Sequence, residues 1–228
     1  KRNSDCFDTN ATRIRKIKFI MQTYFDDNTG RTLAVRPEAY VLDQVFTPEY
    51  FSYLKNSLSD IKDNNLLSYE QFLGRHHINS LDKDVGCSLL EDATNTLLPK
   101  ARSFFGQDVQ STYTLFVLYK GFRANLPRHI DDNACTFTID LCMSYKTQWP
   151  IYVEGKEILL EPNQAAVYYG EDQYHWRNKF PDPAKNEVEM IFFHFTKPDH
   201  WFFTKGQQYK QEIIRIRNEY RKKNGIKI

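Results

Sequence analysis

No apolar run in this chain approaches the roughly 20 residues that a membrane-spanning helix needs, so no helical span is expected. The opening stretch KRNSDCFDTNATRIRKIKF has no apolar core, which excludes a secretory signal at this position. It starts on Lys1 instead of Met, which leaves room for an upstream segment. Excess charge is also missing. With 31 Lys and Arg against 29 Asp and Glu, the formal net charge is +2. That is too small to imply nucleic acid or an anionic membrane as an obligate partner. Cysteine is sparse: Cys6, Cys87, Cys135 and Cys142 form no Cys-x-x-Cys pair, which argues against a zinc site built on thiolates. Cys135 and Cys142 fall in one strand-like segment at an odd spacing, so they face opposite ways and should not bridge. All four read as reduced thiols of a cytoplasmic protein. The NAT sequon at 10–12 then reads as chance. Repeats and low-complexity linkers are absent too.

What is present is aromatic. Seventeen Phe and 14 Tyr accompany 41% apolar residues, a composition that favours a sheet-rich core. Residues 1–32 read as a polar segment ending in the turn signal DDNTG, and 33–228 as one domain. AYVLDQVF (39–46) reads as a strand. A helix is predicted over 47–63, with Thr47 as N-cap, Pro48 in its first turn, and Phe51, Leu54 and Leu58 at helical spacing. HINSLDKD reads as a loop. A second helix is predicted over 88–106, with Pro99 as a break or kink and Gly106 as its stop. After 110 the texture changes to strands at 111–119, 135–145, 149–155, 156–162, 164–170, 173–177 and 188–195, separated by short turns. In 135–145, Thr136, Thr138 and Asp140 alternate with Phe137, Ile139 and Leu141. A basic helix is predicted over 205–225, its cations a solvated face. The fold class is therefore α+β: helices first, then a jelly-roll-like β half and a C-terminal helix.

Six histidines are candidates for chemistry. His76 and His77 fall in the polar loop. His194 and His200 flank the end of the last strand, and all four read as structural or surface residues. His129 and His175 each sit at the edge of a predicted strand. Asp131 lies two residues beyond His129, and on an extended strand i and i+2 share a face. Asp132 is the competing carboxylate, but its spacing turns it away. Two imidazoles and one carboxylate on one side of an ion would make the facial triad of non-haem Fe(II) oxygenases. A His-x-Asp pair alone is weak evidence, since a polar loop supplies one by chance.

The surroundings add to it. LYKGFRANLPRHIDDNACTFTIDLCM, WPIYVEG, LEPNQAAVYYGEDQYHWR and IFFHF together resemble the 2-oxoglutarate/Fe(II)-dependent dioxygenases, nearer their prolyl-4-hydroxylase-like branch, over residues 110–196. Gly121 stands one residue early after Tyr119, and Asn163 stands where that family usually has Gly. The resemblance implies a double-stranded β-helix core. It implies His129, Asp131 and His175 as iron ligands, with 2-oxoglutarate and O2 as co-substrates and ascorbate as an optional reductant. It implies a cation for the distal carboxylate of 2-oxoglutarate, either Arg177, which shares the His175 face, or Lys185, ten residues after His175. Tyr119 could add its hydroxyl, or be a core tyrosine. The implied reaction is hydroxylation of an unactivated C–H bond in an amino acid, a peptide or protein side chain, or a small natural-product intermediate. Halogenases of this superfamily carry a small residue in place of the carboxylate. A non-oxygenase cupin-type metal protein, a nucleic-acid demethylase and a non-catalytic jelly-roll binding module are the alternatives.

Overall fold

The computed structural model describes residues 22–26, 31–35, 38–81, 85–132, 134–205 and 215. They belong to two compact units, Lys1–Pro37 and Glu38–Ile228. In the first, β1 (Gln22–Asp26) pairs antiparallel with β2 (Arg31–Val35), Asp26 opposite Arg31. A strand pair thus lies where the sequence reads as a polar segment.

The second unit holds everything else. Its elements are β3 (Tyr40–Leu42), α1 (Pro48–Asp63), β4 (Ser68–Glu70), β5 (Arg75–Asn79), α2 (Cys87–Phe105), β6 (Gln110–Lys120), β7 (Leu126–His129) and β8 (Phe137–Tyr145). Then follow β9 (Ile151–Val153), β10 (Lys156–Ile158), β11 (Ala165–Tyr168), β12 (His175–Arg177), β13 (Glu187–Thr196) and α3 (Trp201–Thr204). The helix predicted over 205–225 lies outside the described residues apart from Lys205 and Arg215. Among the described residues no helix is long and apolar enough to cross a membrane.

Local chemistry explains the elements. Thr47 Oγ1 accepts from the Tyr50 N–H at 3.3 Å, capping α1 just ahead of Pro48. Pro99 neither ends nor breaks α2, because the buried face of Leu90, Ala93, Leu97, Ala101 and Phe105 holds the helix on both sides of the lost hydrogen bond. Gly106 stops it at φ 63°. The predicted strand 39–46 is only three residues of ladder. Beyond it, Val45 and Phe46 bond instead to Asn163, whose φ of 69° gives the left-handed turn that Gly would otherwise supply. HINSLDKD reads as a loop, but its first three residues, His77, Ile78 and Asn79, belong to β5, as does His76 before them.

Two antiparallel sheets result. One has seven strands in the order β3-β11-β8-β13-β6-β5-β4 and the other four, β10-β9-β12-β7. The fold is an α+β jelly roll. One face of the larger sheet packs on α1 and α2 through Leu54, Leu58, Leu97, Phe116, Ile139, Leu141 and Phe193. Its other face packs on the smaller sheet through Val117, Tyr119, Cys142, Tyr168, Met190 and Phe192, which meet Leu126, Ile151 and Val153. The alternation in 135–145 therefore does not mark a solvated side. Every residue from Phe137 to Met143 is buried, because both faces of the central strand are covered.

Candidate metal centre

The last residue of β7 and the first of β12 meet in the ladder: His175 pairs directly with His129. Their rings stand 4.2 Å apart, centroid to centroid. Just past β7 the chain turns, and the Asp131 N–H donates to Gly170 O at 2.7 Å. That bond carries the Asp131 side chain to the imidazoles. Asp131 Oδ1 lies 3.5 Å from His129 Nε2 and 3.4 Å from His175 Nε2. One donor atom from each residue falls within 4.8 Å of the others.

The surrounding bonds orient these atoms. His129 Nδ1 lies 2.7 Å from Pro127 O, and His175 Nδ1 lies 3.0 Å from Gln173 O. A carbonyl can only accept, so each Nδ1 carries a proton, and each Nε2 faces Asp131, donating to the carboxylate when protonated and offering a lone pair when a metal takes that proton's place. Thr138 Oγ1 donates to Asp131 Oδ2 at 3.0 Å, which leaves Oδ1 for the imidazole side. Gly170 is a tight fit: a Cβ there would sit 2.3 Å from Asp131 Oδ2 and 2.4 Å from Thr138 Oγ1. Burial favours the protonated Asp131 carboxyl, but hydrogen bonds with His129 and His175 outweigh it and hold the group well below the ordinary carboxylate range. Burial pulls His175 down, but the hydrogen bond and charge of Asp131, with the Gln173 carbonyl and Asp140, together outweigh it and raise the group. A carboxylate beside two imidazole Nε2 atoms is a fitting donor set for a divalent ion.

The other expected residues divide. Tyr119 and Arg177 are buried between the sheets. Arg177 donates to Trp149 O and, at 3.6 Å, to Met190 Sδ, while its Nε has no hydrogen-bond partner. Tyr119 OH accepts from Arg75 Nη1 at 3.4 Å. Lys185 is elsewhere. It is exposed and lines a surface cavity with His76, Lys120, Arg123 and Lys146. Glu187 of β13 pairs with Lys120, whereas His194 pairs with Tyr113 at the strand's other end. At about 3.3 Å per residue, this places Lys185 on the order of 20 Å or more from the triad's end of the sheet. The ten-residue spacing after His175 is present, but the intervening turn runs to the wrong end of the roll.

Four contributors went unread in the sequence. Arg75 sits on β5, in a stretch that reads as loop. Asp140 is buried in the interior, accepts from Tyr168 OH at 3.0 Å, and is pushed by burial up to about 6. His194 is no surface residue. It is buried within β13, and burial pushes it down to about 4. It and Cys135 both come within 4.8 Å of Asp131, donor to donor. Asp140 alone had a signal, as a lone carboxylate inside an apolar run.

No protein-family model matches this chain, and no curated protein does. Solved structures do. A prolyl-4-hydroxylase from Pseudomonas putida is 16% identical with a TM-score of 0.52, over 70% of this chain and 92% of that one. A Trichoplax adhaerens prolyl hydroxylase, solved with a hypoxia inducible factor oxygen degradation domain peptide, is 11% identical with a TM-score of 0.54, over 74% and 87%. EctD from S. alaskensis, solved with 2-oxoglutarate and 5-hydroxyectoine, is 13% identical with a TM-score of 0.55, over 72% and 78%. What this chain shares with them is the fold.

Proposed function

We propose that this protein is a 2-oxoglutarate- and O2-dependent Fe(II) hydroxylase. The observation that carries the reading is the meeting of His129, Asp131 and His175, with both Nε2 atoms and one carboxylate oxygen turned to a common point. In this reading those three residues hold the iron. Bound there with 2-oxoglutarate, iron supplies the coupling of oxidative decarboxylation to hydroxylation of an unactivated C–H bond. Three protein ligands leave positions for both co-substrates.

The chain's own residues do the positioning. Pro127 and Gln173 carbonyls fix the imidazole tautomers. Thr138 and Gly170 fix the Asp131 carboxylate. For the distal carboxylate of 2-oxoglutarate we favour Arg177, whose buried guanidinium has an unused Nε–H, with Tyr119 as a hydroxyl donor and Arg75 as the neighbouring cation. Lys185 is too far along the sheet to serve. His175 is buried while His129 is a third exposed at its side chain, so substrate approaches from the His129 side. The substrate class is an amino acid, free or within a peptide, or a small natural-product intermediate. Structural neighbours were solved with a peptide and with 5-hydroxyectoine, which supports that class.

The test is conversion of 2-oxoglutarate to succinate, with O2 uptake, by the Fe(II)-loaded protein against a panel of amino acids and peptides. Turnover in wild type that His175→Ala abolishes supports the reading. Metal-loaded protein that leaves 2-oxoglutarate intact with and without the panel contradicts it.

A further inference from the structure

Beside the triad lies a second donor set that the hydroxylase reading does not use. Asp131, Cys135 and His194 offer one carboxylate oxygen, one thiol sulfur and one imidazole nitrogen, all within 4.8 Å of one another. Ligands placed tetrahedrally at about 2.0–2.3 Å from a zinc ion stand roughly 3.3–3.8 Å apart, so modest side-chain adjustment closes the set. Cys135 and His194 are buried, and Cys135 is in no disulfide.

The independent observation is His194 Nδ1, which is buried and has no hydrogen-bond partner. Its ring lies against the Tyr113 ring, centroids 4.4 Å apart and tilted by 35°. A buried ring nitrogen without a partner costs free energy unless a ligand takes it up. Tyr113 also places its hydroxyl 3.1 Å from Cys135 Sγ, where it can donate to a thiolate as the outer partner of a metal ligand. Thr112 Oγ1 donates to Ala134 O at 2.9 Å, pinning the backbone beside Cys135 to β6.

We propose that Asp131, Cys135 and His194 form a binding site for a thiophilic divalent cation of the zinc class, sharing the Asp131 carboxylate with the triad. Sulfur selects this class over Mg(II) or Ca(II), which take oxygen ligands. Binding releases the Cys135 thiol proton to solvent and leaves a fourth position for water. The site stands whether or not the triad supports hydroxylation, because it needs neither His129 nor His175.

Cobalt(II) is the probe. Metal-stripped protein is titrated anaerobically, and the sulfur-to-cobalt charge-transfer band is followed in the near ultraviolet. Wild type should show the band, Cys135→Ser should lose it, and His194→Gln should need at least about tenfold more cobalt. His175→Ala, which dismantles the triad, should keep it. Circular dichroism reports whether each variant is folded, and His194→Gln carries the test if Cys135→Ser is not. Zinc should displace the cobalt and abolish the band. No band in wild type at saturating cobalt overturns the site. So does a band that survives Cys135→Ser, which would assign it to another cysteine. A band lost in His175→Ala would overturn it too, because Cys135 would then only complete the triad.

Discussion

The two faces of the seven-stranded sheet are built from opposite materials. The face under α1 and α2 is filled by Phe116, Phe137, Ile139, Leu141, Ile191 and Phe193. The face under the smaller sheet alternates Val117, Met190 and Phe192 with Tyr119, Asp140, Tyr168 and His194, and meets His175 and Arg177 across the gap. Apolar packing maximises stability, whereas buried charged and polar groups cost free energy unless they are paired. A chain that places Asp140 and Arg177 in its interior with one polar atom of each unpartnered has given up stability there. Such local departures from good packing are expected at functional sites. In the proposed reading the helix face carries the fold and the inner face carries the chemistry.

That division can be broken at several points. The largest effect belongs to the helix face. Phe193→Ala should destabilise the protein by about 3–5 kcal/mol, measured by denaturant unfolding, while the molecules still folded bind Fe(II) at the triad as before. Loss of iron affinity beyond the unfolded fraction would show that the two faces are not separable.

Asp140→Asn should do the reverse. Burial raises the folded-state pKa of Asp140 from 3.8 to about 6. The stability it contributes is therefore fully present below the unfolded value and is lost as pH rises through 6. A rise of that size corresponds to roughly 3 kcal/mol, and asparagine does not titrate. Unfolding of the metal-free protein at pH 4 and pH 8 should show the variant gaining on wild type by up to that amount as pH rises. An unchanged difference between the two pH values would remove Asp140 from the account.

Gly170→Ala places a methyl against Asp131 Oδ2 and Thr138 Oγ1. It should weaken Fe(II) binding about 10–100-fold, read by anaerobic titration, with a smaller effect on stability. Thr138→Val, which removes only the bond to Oδ2, should cost about 1 kcal/mol in stability or less than tenfold in affinity.

The same contrast explains what could be read from the chain alone. Both long helices were legible because Thr47, Pro48 and Gly106 mark ends that local chemistry fixes. The triad was legible because His129 and Asp131 are neighbours in sequence and His175 opens a recognisable strand. β4 and β5 were not, since RHHIN is polar and its apolar environment comes from β6 across the ladder. The site around His194 was hidden for the same reason. Cys135 and His194 meet only through the pairing of β13 with β8 and β6, which no local pattern announces. Lys185 is the opposite case: it keeps the ten-residue spacing after His175, yet the turn before β13 carries it to the far end of the sheet.

The most direct measurement is anaerobic addition of Fe(II) and then 2-oxoglutarate to wild type, His175→Ala and Asp131→Ala, watching for the visible charge-transfer band of a metal-chelated 2-oxo acid. The account predicts the band in wild type and its loss in both variants. Metal-loaded wild type without a band, or a band that persists when Asp131 and His175 are each removed, would contradict it.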